Sequence, residues 1–177
     1  MLRKRKSLED EARKLLQTSG VERPPVPVES LARALGIDVR FSPAKEDVSG
    51  ALIRDGNSVV IAINSAQHEN RQRFTMAHEI GHFLLHKGTQ VHFDEDFRVN
   101  FRNSVSSEAT NVDEIEANRF AAALLMPEGF LRRDLLRLKP DDSTLDNAIH
   151  SLAVRYKVST RAMELRLVNL GFISPVD

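Results

Sequence analysis

The chain has 177 residues, and its 25 Lys and Arg are balanced by 25 Asp and Glu for a formal net charge of zero, so no global field draws it to nucleic acid or anionic lipid. That length suits one domain, or one domain with a small helical appendage, and is enough to bury an apolar core. Cysteine is absent, which excludes disulfides and thiolate ligation, leaves imidazole and carboxylate as metal ligands, and favours an open catalytic site over a closed structural one.

The opening Met1-Leu2-Arg3-Lys4-Arg5-Lys6 is basic like a signal peptide, but a charged amphipathic stretch follows in place of an apolar core. No run nears the roughly 20 apolar residues of a membrane span, so a cytoplasmic location is expected. Ser7 followed by Asp10 reads as a capped helix start, with Leu8, Ala12, Leu15 and Leu16 on one face and a stop near Gly20. Arg23-Pro24-Pro25-Val26-Pro27 is a stiff connector. Val28 to Leu35 reads as a short helix ended by Gly36. Ile37 to Phe41 and Ala51 to Arg54 alternate at period two, and Val59 to Ile63 is a continuous apolar run; these are three strands, the last two joined by a tight turn at Asp55-Gly56-Asn57. A small antiparallel sheet with an exposed edge is expected.

From Gln67 to His86 the period becomes helical. Lys87 to Asn111 is polar and without clear period, which reads as a loop able to serve as a lid. Asp113 to Met126 is an almost wholly apolar, buried helix ended at Met126-Pro127, and helices over Thr144 to Tyr156 and Ser159 to Leu170, with Gly171 as stop, close the chain.

Within Met76-Ala77-His78-Glu79-Ile80-Gly81-His82, two histidines stand four apart with Glu directly after the first. On a helix both imidazoles share a face, about 6 Å apart along the axis, close enough to chelate one ion. Glu79, rotated by about 100°, flanks the ion and is placed to take a proton from water and pass it to a leaving amine. The bland alternative is two satisfied core histidines. Against it, the surrounding Phe74, Ala77, Ile80, Phe83 and Leu84 are core-like, as befits a buried metal site. Gly81 costs roughly 1 kcal/mol in a helix relative to Ala, which suggests that something needs to approach its backbone closely.

A catalytic zinc takes three protein ligands, so a third is needed. His86 lies about 12 Å along the axis from His78, too far to share one ion, and reads as a helix-end histidine facing the C-terminal dipole. Glu114 shares a face with Ala117, Asn118 and Ala121, and the two alanines would let this helix approach the first. Glu116 points about 200° away and can pair with Arg119. Glu114 is therefore the expected ligand and Glu116 the alternative, while Asn118, one turn on, is placed to orient an imidazole.

Arg73-Phe74-Thr75-Met76-Ala77-His78-Glu79-Ile80-Gly81-His82-Phe83-Leu84-Leu85-His86, then Glu114-Ile115-Glu116-Ala117-Asn118-Arg119-Phe120-Ala121, then Leu124-Leu125-Met126-Pro127 resemble the ImmA/IrrE family of bacterial and phage metallopeptidases. The closing Val158-Ser159-Thr160-Arg161-Ala162-Met163 with Arg166-Leu167 and Leu170-Gly171 is also similar to it. The likeness runs from about Val28 to Phe172. It implies zinc on His78, His82 and Glu114, Glu79 as general base, and a protein substrate of the XRE helix-turn-helix repressor type, whose removal would release genes of a mobile element, a toxin-antitoxin-like pair or a stress response.

The expected architecture is α+β: an N-terminal helix and connector over 1–27, a zincin-like core over 28–138 with a sheet of about three strands, and a C-terminal helical pair over 139–177, helix-turn-helix-like in outline and packed on the core. Two other readings keep the zinc. One is a module that binds DNA or a partner around a structural ion, although Ala162, Leu165, Leu167 and Val168 look like packing residues and direct nucleic-acid binding is not expected. The other is a regulator that sequesters its repressor without cutting it. His92, His150, Tyr156 and several arginines are open candidates for oxyanion stabilisation.

Overall fold

A computed structural model describes residues 3, 5–86, 91–95, 108–137 and 144–174, the side chains of 91–95 and 108–111 excepted. The order is α1 (Arg5–Thr18), α2 (Val28–Ala34), β1 (Asp38–Ser42), β2 (Val48–Asp55), β3 (Ser58–Asn64), α3 (Glu69–Leu85), β4 (Val91–Glu95), α4 (Glu108–Leu125), α5 (Glu128–Leu135), α6 (Leu145–Tyr156) and α7 (Thr160–Leu170). This is an α+β fold, as the alternation of periods implied.

The sheet differs in composition from the expectation. It has four strands in the order β1-β3-β2-β4 and is mixed, because β1 runs parallel to β3 while β2 is antiparallel to both β3 and β4. The β2–β3 hairpin closes with Asp55 opposite Ser58, and Gly56, at φ 56°, supplies the positive φ of the turn. That hairpin occupies the β3 edge next to β2, so β1 pairs on the far side of β3 in the only direction its connection allows. β4 falls inside the stretch read as a loop; most of that stretch, and any lid in it, lies outside the described residues.

Helix starts also shift. α1 begins at Arg5, two residues before Ser7, because Arg and Lys are good helix formers, and Asp10 pairs with Arg13 one turn on rather than reaching back to cap the helix. α4 begins at Glu108, five residues before Asp113, where Glu108 and Ala109 are good helix formers.

Leu8 and Ala12 of α1, Ile61 and Ile63 of β3, Ile80 of α3, Phe120 and Leu124 of α4, and Leu152 and Leu167 of the last two helices join one apolar cluster. α3 lies along β2 in the strand's own direction: a Cβ on Gly50 would stand 2.5 Å from Thr75 Cγ2, and further on Arg54 Nη2 donates to the carbonyls of His82 (3.1 Å) and His86 (3.2 Å). α4 packs on the other side of α3. The central helix is thus clamped between sheet and helix, and residues 75–82 are buried without a break. Among the described residues no helix is long and apolar enough to cross a membrane.

In the C-terminal pair, Lys157 adopts φ 53° at the turn and Ser159 caps α7 by accepting from the Ala162 N–H. Arg166 points inward, to Met126 O and Glu9, which removes it from any surface that could meet a duplex.

Candidate metal centre

α3 starts at His68, whose Nδ1 accepts from the Asn70 N–H at 3.1 Å, and its middle is held by Met76, Ala77 and Ile80, all at most 3% exposed. Leu84, two positions and about 200° round from His82, is exposed rather than part of the core. The opposite face carries His78 (1% exposed), Glu79 (0%) and His82 (3%). Such dense burial of polar groups calls for partners.

For the two histidines α4 supplies partners. Glu114 Oε2 stands 3.3 Å from His78 Nε2 and Glu114 Oε1 stands 3.2 Å from His82 Nε2, while the two Nε2 atoms are 2.9 Å apart. A tetrahedral ion with bonds of about 2.0–2.1 Å has ligand-to-ligand edges of about 3.3–3.4 Å. The two imidazole nitrogens and the carboxylate therefore converge at close to that spacing, each nitrogen facing its own carboxylate oxygen and the nitrogen-to-nitrogen edge the shortest at 2.9 Å. His78, His82 and Glu114 form a group that could hold a metal ion, the one such group among the described residues.

The chemistry of the donors fits as well. His78 Nδ1 donates to Asn118 Oδ1 at 2.8 Å, so the Nε2 of a neutral His78 is a lone pair aimed at another imidazole and a carboxylate. With His82 in the tautomer that leaves its Nε2 bare, that nitrogen, His78 Nε2 and the Glu114 carboxylate are acceptors that a cation between them would hold together. Two imidazoles and one carboxylate also match the ligand sets of catalytic zinc sites.

The close approach of α3 and α4 is set by small residues. A Cβ on Gly81 would lie 3.1 Å from Phe120 Cδ1, 3.2 Å from Ala117 Cα and 3.3 Å from Ala117 O. Gly81 and Ala117 bring the backbones together and so bring Glu114 within reach of both histidines.

Glu116, the alternative third ligand, is turned elsewhere. Its Oε1 accepts from the Arg3 N–H at 2.5 Å and its Oε2 lies 3.3 Å from His86 Nε2, so the expected pairing with Arg119 gives way to two partners from other segments. His86 is the residue where α3 ends, and it leaves the helix in extended conformation, φ −121° and ψ 126°. Its ring lies against His82, Nδ1 to Nδ1 at 3.1 Å, instead of facing the carbonyls of the helix end. Sequence reasoning missed this contact, because helical geometry stops applying at the residue that makes it.

Of the oxyanion candidates, His150 is exposed on α6 and the Tyr156 hydroxyl donates to Asp134 at 2.9 Å. The side chain of His92 lies outside the described residues.

A His-Glu-x-x-His helix clamped against a mixed sheet, with a carboxylate from the next helix closing the set, defines a domain of the metallopeptidase class. Residues 32–168 match the family described as the IrrE N-terminal-like domain, a peptidase family, and the chain belongs to it. It is 37% identical over 130 residues to the radiation response metalloprotease IrrE of Deinococcus radiodurans, which covers 73% of this chain and 36% of that one. The corresponding protein of Deinococcus deserti is 35% identical over 149 residues, covering 83% of this chain and 48% of its own length. The chain thus spans half or less of the curated relatives it matches. Among solved structures, a Mycobacterium tuberculosis transcriptional regulator superposes with a TM-score of 0.61 over 92% of this chain and 46% of its own, at 19% identity, a likeness of fold.

Proposed function

We propose that this domain is a cytoplasmic zinc-dependent endopeptidase that cuts a protein substrate, with an XRE-type helix-turn-helix repressor as the substrate class. The observation that carries the reading is the convergence of His78 Nε2 and His82 Nε2, 2.9 Å apart, on the Glu114 carboxylate, one oxygen 3.3 Å from the first and the other 3.2 Å from the second. The repressor assignment rests on the resemblance of the two helix motifs and the Leu-Leu-Met-Pro turn to the ImmA/IrrE family.

In this reading His78, His82 and Glu114 hold the ion. Zinc there supplies Lewis acidity, lowering the pKa of water and polarising the scissile carbonyl. Glu79 is the general base and then the acid: rotated by about 100° from His78 on the same buried helix, its carboxylate flanks the site, takes a proton from the attacking water and returns it to the leaving nitrogen. Asn118 keeps the His78 ring in one orientation. Among the described residues β4 is an outer strand, so an extended peptide added to that edge would continue the sheet that carries the metal helix.

The test is Glu79→Gln, assayed against candidate repressors with metal content measured in parallel. Cleavage should fall by at least about a hundredfold with one zinc per chain retained. A variant that cuts at the wild-type rate would overturn the role of Glu79, and wild-type protein that takes up no stoichiometric zinc would overturn the site.

A further inference from the structure

His82 offers Nε2 to the site, and a histidine that binds through one nitrogen is fixed by what its other nitrogen meets. For His78 that partner is the Asn118 amide oxygen at 2.8 Å. For His82 it is a second histidine. His82 Nδ1 lies 3.1 Å from His86 Nδ1, with the two rings 5.1 Å apart and tilted by 56°. The other nitrogen of His86 faces carboxylates: Glu116 Oε2 at 3.3 Å and Asp113 Oδ1 at 3.5 Å.

The tautomers along this row are determined by its two ends. Nε2 of His82 must be a lone pair to bind a metal, so its proton sits on Nδ1 and is donated to His86 Nδ1. His86 must then carry its own proton on Nε2, which points at the carboxylate of Glu116. Glu116 is 3% exposed and is itself held, by the Arg3 N–H at 2.5 Å and by Arg3 Nε at 3.7 Å. Arg3 is anchored in turn to Leu85 O at 2.7 Å, one residue before His86. Every link has a donor facing an acceptor. The extended backbone of His86 makes the row possible, since it folds the ring back over the preceding turn.

We propose that His86 is a positioning residue for the metal centre, holding the His82 ring by accepting from its Nδ1–H, with Glu116 holding His86. The proposal rests on the metal-site reading above. His86 does not bind the ion; it restricts rotation of the ring that does and, backed by a carboxylate, makes that ring a better electron donor.

The experiment compares metal-free wild type, His86→Phe and His86→Asn for zinc affinity by chelator competition and for the visible spectrum with cobalt. Thermal unfolding of each metal-free protein is recorded alongside. Phenylalanine fills the space without an acceptor, and asparagine places an amide oxygen near the position of Nδ1. His86→Phe should bind zinc about 10- to 100-fold more weakly with an altered cobalt spectrum, and His86→Asn should recover most of the loss. Wild-type affinity in His86→Phe would overturn the proposal, as would equal weakening in both variants, which would mark a role in packing. Should His86→Phe fail to fold, Glu116→Ala serves in its place: it should weaken zinc binding, and unchanged affinity there would overturn the row. Wild type without stoichiometric zinc would sink the site reading and this one with it, a result distinct from a tight wild-type site indifferent to His86.

Discussion

Gly81 decides how near the carboxylate helix can come to the two histidines. In Gly81→Ala, helix propensity favours the change by about 1 kcal/mol, while overpacking opposes it by about 1–3 kcal/mol. The added methyl would meet the Ala117 backbone, in a fully buried turn, and the Phe120 ring at 3.1–3.3 Å, so little can give way and the cost wins. A net loss of about 1 kcal/mol is expected in urea unfolding, and stability above wild type would show that α4 moves aside freely. At this scale the sequence was informative wherever one helix period governs the answer. The facing of His78 with His82, and of Glu114 with Asn118, follows from spacing alone. The His86–Glu116 contact does not: it needs the chain to leave the helix at His86, and it needs Arg3, 113 positions away from Glu116, to hold the carboxylate.

Between elements, α5 and α6 are joined by a polar cluster around the buried Asp134. The Tyr156 hydroxyl donates to Asp134 Oδ2 at 2.9 Å, and Arg155 Nε donates to the same oxygen at 2.8 Å. Tyr156 is fully buried, so desolvation first, and the hydrogen bond to Asp134 second, push its phenol far above the ordinary value of 10.0. A pKa raised in the folded state gives stability that is complete below the unfolded value and is lost as pH rises, because above it the unfolded chain releases a proton that the folded one keeps. Stability should therefore decline above about pH 10 by about 1.4 kcal/mol per pH unit, and Tyr156→Phe should remove that component of the slope. Tyr156 is the single tyrosine and tryptophan is absent, so tyrosinate absorbance follows this group alone; ionisation near pH 10 in folded protein would refute the prediction. The elements themselves were largely readable from period and punctuation. Their pairing was less so. Three strands close in sequence suggest an antiparallel meander, and the parallel partnership of β1 with β3 arises because β2 takes the other side of β3. β4 is short: Val91 and Phe93 alternate with His92 and Asp94 for only two periods inside a polar stretch, too few to set it apart without its pairing to β2.

Across the whole molecule, the first and last helices are tied through one guanidinium. Arg166 of α7, 4% exposed, donates from Nη1 and Nη2 to the two oxygens of Glu9 on α1 at 2.5 and 2.8 Å, and from Nε to Met126 O at 3.0 Å. A single side chain thus joins the N-terminal helix, the end of the helix that bears Glu114, and the C-terminal pair. This long-range closure is invisible to local reading, because 157 positions separate the partners. Glu9→Ala would strand a buried cation that, among the described residues, retains only the Met126 carbonyl. Breaking such a pair costs about 3–5 kcal/mol, and because the Glu9 side chain is 21% exposed some water can reach the gap, so about 3 kcal/mol is expected. Replacing both partners by apolar residues of similar size, Glu9→Leu with Arg166→Met, removes the stranded charge and should lie closer to wild type than Glu9→Ala does. Urea unfolding of the three proteins tests this: a Glu9→Ala midpoint indistinguishable from wild type, or a double variant less stable than the single one, would mean that the helices are held together by the apolar cluster alone.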